Sequence, residues 1–312
     1  MPPLTRALRA LTSAADAARR ALAASRLAAP GADPKVSALI ALADEARGRG
    51  RLVDAFSLYR QAIGRSRYHL GALRGAREVA IDLGRWEDAI EPARRAAVLA
   101  PAAERWSDTE RLAVVHYEVG QTLLRAGRPR DAVASFRNSI RAHPRFLPAA
   151  VALGDAQLAA GDPREAQRVW ERAADVTPAL PLLSRLEDAY RRDGSPTRMI
   201  ARYRAAVERA PEDLALAIAL GRVYLELEML DEAAEHFEKL DVRVPDVPAI
   251  HAFLGVIFER QGQAREAFDE YRRGVQALLR FGLPHHCAAC KQSVPAWQDR
   301  CPGCGRWNTL RT

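Results

Sequence analysis

Aromatic residues make up only 6% of this 312-residue chain, and no run of alternating β-branched residues occurs before residue 284. That excludes a sandwich or barrel core and points to stacked helices built from Leu and Ala. No stretch of about 18 consecutive apolar residues is present, so a membrane-spanning helix is not expected. Arg6 and Arg9 are not followed by the apolar stretch of a secretory signal. There is no Gly-rich phosphate loop and no nucleophile elbow, and the charged residues fall at helix-surface spacing, so no enzymatic activity is expected. Cysteine is missing from the first 286 residues, and all four copies lie between 287 and 304. Without an export signal, that clustering argues for a metal site in a reducing cytoplasm rather than a disulfide scaffold.

Lysine is nearly absent too, at Lys35, Lys239 and Lys291 only; Arg carries the rest of the formal charge of +8. The excess sits at the ends: residues 1–35 net +4, 282–312 net +3, and 36–281 only +1. A nearly neutral middle excludes a basic nucleic-acid groove along it.

What the sequence has is a period. Residues Leu214–Val247 and Pro248–Phe281 align with Leu220-Gly221 on Leu254-Gly255, Tyr224 on Phe258, Ala233 on Ala267 and Phe237 on Tyr271. Small residues let two antiparallel helices approach, large ones fill the space between pairs, and Pro245 turns the chain into the next unit. This pattern resembles the tetratricopeptide repeat family. Five more units precede these two: Val36–His69, Leu70–Ala103, Ala113–Phe146, Leu147–Ala179 and Leu180–Asp213. The fifth carries Glu187 for Gly and Met199 for Ala, so its helix pair should pack more loosely. An insertion, Glu104–Leu112, holds Ser107-Asp108-Thr109-Glu110, which reads as a capping box starting a long helix near 108. The expected fold is all-α: a tetratricopeptide-repeat superhelical solenoid of about seven helix pairs over 36–281. Residues 1–35 precede it as an Ala/Arg-rich helix and linker, with peripheral contact to an anionic membrane open as an alternative. In the seventh unit the second helix should run on through Leu278-Leu279-Arg280.

Residues 282–312 form a separate module. Cys287-x2-Cys290 and Cys301-x2-Cys304 are two knuckles that bring four thiolates into a tetrahedron. About 30 residues bury too little surface to fold alone, so a metal must supply the stability. Four Cys close the shell, which favours structural Zn2+; iron is the alternative, since the segment also resembles rubredoxin and could pass electrons. His285 and His286 read as linker residues. The short link Gly282-Leu283-Pro284 should dock the module on Phe268, Tyr271, Val275, Leu278 and Leu279, capping the array.

In the tetratricopeptide family the first helix of each repeat lines a concave groove. The resemblance places Arg74, Glu78, Tyr117, Gln121, Arg125, Asp155, Asp188, Arg191 and Arg222 there. The set is mixed in sign and suits an extended peptide or protein surface. Arg74 and Arg125 are expected to be solvated.

A repeat array followed by Cys287-x2-Cys290, Trp297, Cys301-Pro302-x-Cys304 and Trp307-x-Thr309 resembles the family of lipopolysaccharide assembly protein B. The resemblance implies an adaptor that presents the lipid A deacetylase to a membrane protease and so limits lipopolysaccharide synthesis. It implies a cytoplasmic protein at or near the inner membrane. Members use an N-terminal transmembrane helix; residues 1–29 here are too polar and Ala-rich to span. A generic tetratricopeptide scaffold for another peptide is the second reading.

Overall fold

The computed structural model describes residues 33–281, 285–294, 298, 300–306 and 309–311. The expectations for residues 1–29, the linker at 282–284, Trp297 and Trp307 lie outside them. The chain divides into two compact units, one running to Thr177 and one from Pro178.

In the first unit, α1 (Pro34–Gly48) pairs with α2 (Leu52–Arg65), α3 (Leu70–Asp82) with α4 (Trp86–Leu99), α5 (Arg105–Arg125) with α6 (Pro129–Ala142), and α7 (Leu147–Ala159) with α8 (Pro163–Val176). In the second, α9 (Leu180–Arg192) pairs with α10 (Pro196–Arg209), α11 (Leu214–Glu226) with α12 (Leu230–Arg243), and α13 (Pro248–Arg260) with α14 (Ala264–Phe281). Within each unit every helix packs on the next. The long α14 is the expected continuation past the repeat's usual end.

The pairs turn in the same way. Six of the seven turns place a glycine in the left-handed region, from Gly194 at φ 59 to Gly161 at φ 90; the seventh puts Glu228 there at φ 56. Proline at the first turn starts α6, α8 and α10, where its missing N–H costs no hydrogen bond. An aromatic from the second helix presses on a glycine of the first: Phe136 on Gly120, Trp170 on Gly154, Phe237 on Gly221, Tyr271 on Gly255; the first three aromatics are buried. A Cβ at Gly154 would fall inside the Trp170 indole, which is buried and donates to the Val151 carbonyl at 3.2 Å. Gly154→Ala is therefore expected to lower stability by about 2–3 kcal/mol, read from the thermal midpoint.

Two repeats break the small-residue rule. Arg77 and Glu187 occupy the place of the glycine, and both are buried. Glu187 and Met199 are both buried, and the Tyr203 hydroxyl of α10 donates to Glu187 of α9 at 2.7 Å.

The capping box is not used as expected. α5 starts at Arg105, and Ser107 and Asp108 lie within its first turn rather than before it. Asp108 turns inward and is 2% exposed. The reason is electrostatic: it meets two arginines of α3.

The C-terminal residues form a three-stranded antiparallel sheet in the order β2–β1–β3, from β1 (His285–Cys287), β2 (Ser293–Val294) and β3 (Leu310–Arg311). His285 and His286 belong to its central strand, paired with Val294 and Ser293 on one side; His286 also pairs with Arg311 on the other. The expected docking on the last repeat is corrected. Phe268, Tyr271, Val275 and Leu278 remain exposed. Among its described residues, Cys287, Val294, Cys301 and Leu310 form a core of the module's own.

Candidate metal centre and helix faces

The four cysteines converge. Their Sγ atoms all lie within 4.8 Å of one another, with Cys287–Cys304 at 3.7 Å and Cys290–Cys301 at 3.6 Å. A tetrahedral ion with metal–sulfur bonds of about 2.3 Å sets its sulfurs ~3.8 Å apart, whereas a disulfide holds them at about 2.05 Å. The spacing therefore fits a metal and not a disulfide.

The two knuckles are built alike. In the first, the Lys291 amide donates to the Cys287 carbonyl and the Cys287 amide to the Gln292 carbonyl, both at 2.9 Å. In the second, Gly305 donates to Cys301 and Cys301 to Arg306, again at 2.9 Å. The leading cysteines, Cys287 and Cys301, are buried; the trailing ones, Cys290 and Cys304, face solvent. The hydrogen bond with the Thr309 hydroxyl at 3.2 Å, with backbone amides nearby, lowers the Cys287 thiol to about 6. The Cys304 and Gly303 amides lower Cys301 in the same way. Both buried sulfurs are thus prepared to bind as thiolates. Four thiolates leave no open position, so an ion held here would organise the module rather than bind substrate.

One residue departs from this symmetry. Each knuckle ends in the left-handed region, at Gly305 with φ 69 and at Lys291 with φ 62. A non-glycine residue there costs about 1–2 kcal/mol. Lys291→Gly is expected to stabilise the metal-bound module by about 1 kcal/mol, measured as slower metal loss to a chelator.

The nine residues expected on the first-helix face divide into two groups. Four are held in ion clusters. Arg74 binds Asp108 at 2.5 Å and Glu104 at 2.8 Å, while Arg77 binds Asp108 at 2.5 Å and Glu78 at 2.8 Å. Burial alone would raise the Asp108 pKa, but the two arginines bring it below the usual carboxylate range. The insertion thus supplies the countercharge for Arg77. In the second unit, the Glu187 carboxylate accepts from Arg222 at 2.7 Å, from Tyr203 at 2.7 Å and from Arg191 at 2.8 Å. Arg191 and Arg222 also bind Glu226. Arg74 is accordingly not the freely solvated residue expected, and Arg74→Glu would set a carboxylate against buried Asp108. Sequence reading missed Arg77, Asp108, Glu187 and Glu226. The one signal available was a charge at the glycine position.

The others are less committed. Tyr117, Gln121 and Arg125 follow one another at four-residue spacing on α5. The Tyr117 ring meets Phe136 and Phe146 at 5.8 and 5.7 Å. Arg125 is exposed and, among the described residues, donates within its own helix, to the Gln121 carbonyl and the Thr122 hydroxyl. Asp155 is half-buried on α7, and Asp188 is exposed on α9.

The tetratricopeptide repeat family model matches residues 123–189 and 190–257. Residues 123–257 carry tetratricopeptide repeats. No curated protein sequence matches the chain. Among solved structures, MamA from Desulfovibrio magneticus RS-1 is 20% identical, with 54% of this chain and 96% of that one covered at a TM-score of 0.39. YrrB, described as a tetratricopeptide repeat protein with an unusual peptide-binding site, is 16% identical over 56% of this chain and 90% of its own, at 0.37. Likeness at this level says nothing of what these repeats bind. No described helix is long and apolar enough to cross a membrane.

Proposed function

We propose that this protein is an adaptor: its tetratricopeptide repeats hold a protein partner, and its C-terminal module is a structural zinc ribbon. The observation that carries this is the division of the first-helix residues. Charges that could have bound a ligand in α3, α9 and α11 are used to tie neighbouring repeats together. On α5, Tyr117, Gln121 and Arg125 form no ion pair among the described residues, which leaves an aromatic, an amide and a cation in a row for an extended peptide. Repeat arrays bind through such side-chain rows. The four-thiolate shell and the lack of a catalytic constellation in the sequence support binding without chemistry.

The C-terminal residues Cys287, Cys290, Trp297, Cys301, Cys304 and Trp307 support a finer reading, in which the partner is the lipid A deacetylase. Its delivery to a membrane protease would then restrain lipopolysaccharide synthesis at the inner membrane. Purified deacetylase should co-purify with the full chain, and Tyr117→Ala with Arg125→Glu should weaken binding roughly tenfold or more. Deleting the protein should lengthen the deacetylase half-life in a chase. An unchanged half-life removes the delivery role. Failure to co-purify removes the deacetylase and leaves a scaffold for another peptide.

A further inference from the structure

The last helix keeps an apolar face uncovered. Phe268, Tyr271, Val275 and Leu278 on α14 are between 37% and 66% exposed. One repeat earlier, Phe237 stands in the place of Tyr271. It is fully buried and stacks on Phe253 of the following helix, α13, with centroids 4.9 Å apart and planes 9° from parallel. α14 therefore presents the face that another helix covers elsewhere in the repeats, and among the described residues no helix follows it. Four large apolar side chains on one face are more than scattered surface residues.

We propose that a second copy of this chain covers this face, α14 lying antiparallel on α14 about a two-fold axis. The spacing of three, four and three residues is that of a two-helix seam, in which such side chains interlock. It is self-complementary. With the axis between Tyr271 and Val275, Phe268 of one copy faces Leu278 of the other and Tyr271 faces Val275, a large residue against a smaller one each time. Charges beside the seam are already matched within each copy. Arg272 binds Asp269 at 3.2 Å, and Arg273 binds Glu270 at 2.6 Å and Asp241 at 2.8 Å, so two copies meet without an unpaired excess of one sign from these groups. The Tyr271 hydroxyl donates to Glu259 at 2.9 Å, which satisfies its polar end and leaves the ring for contact. Cys287, Val294, Cys301 and Leu310 of the ribbon are turned into its own core and not onto this face.

Sedimentation of the full chain over a wide concentration series tests this. A reversible monomer–dimer equilibrium is expected. Val275→Asp with Leu278→Asp should weaken it roughly a hundredfold or more while leaving the helical circular dichroism unchanged, because both side chains are exposed. Val98→Asp, exposed on α4 in the other unit, should leave the dimer intact. A monomer at every concentration overturns the proposal, as does a dimer that survives the double substitution. A dimer that vanishes when residues 1–32 are removed overturns it in favour of an N-terminal arm as the occupant.

Discussion

Chelation of the metal, or Cys301→Ser, is expected to unfold residues 285–311 and to leave the helices standing. Three thiolates make a weak site, and the module has only Cys287, Val294, Cys301 and Leu310 as its described apolar core. Structural zinc contributes on the order of 10–16 kcal/mol in small peptides, more than such a core supplies. The repeats are not expected to be coupled to that loss through Phe268, Tyr271, Val275 and Leu278 of α14, which are exposed with the ribbon present. Hydrogen exchange should therefore rise in the ribbon and stay unchanged in Ala264–Ala277. Elemental analysis should return one zinc per chain. Mainly iron would replace the structural reading with a redox one, and exchange rising along α14 would show that the ribbon covers it after all.

Breaking the Glu187 cluster is expected to have the next largest effect. Glu187→Ala leaves the buried Tyr203 hydroxyl without its acceptor and leaves Arg222 and Arg191 with Glu226 alone; an unsatisfied buried donor costs about 1–3 kcal/mol. Replacing Arg222 as well should recover part of that cost, because the carboxylate and the guanidinium then leave together; a double-mutant cycle measures the difference. The same cluster sets a pH dependence. Burial alone would raise the Glu187 pKa, but Arg222, Tyr203 and Arg191 bring it down from 4.5 to about 2. The folded value is the lower one, so the stabilisation is complete above pH 4.5 and is lost as pH falls from there toward 2. The amount is about 3 kcal/mol. Glu187→Gln should flatten the acid limb of the stability curve over that window. An unchanged limb would mean that the carboxylate is not held as described.

These two sites show where sequence sufficed and where it did not. The four cysteines were legible because a metal knuckle is local: its two residues of spacing and its turn are decided within a few positions. The helix pairs were legible because a glycine such as Gly154 and the aromatic sixteen residues on, Trp170, recur in register, and close packing of two helices permits little else. Sequence alone thus determined the repeats, the count of helix pairs and the four cysteines that converge at the C-terminal end. It did not determine the partners of Arg74, Arg77, Glu187 and Arg222. Ion pairs such as Arg74–Asp108 and Glu187–Arg222 join residues more than thirty positions apart, and which charges meet depends on the rise and rotation from one repeat to the next. The uncovered face of α14 belongs with them. Whether Phe268, Tyr271, Val275 and Leu278 are buried depends on where the ribbon lies, and only the tertiary structure places it.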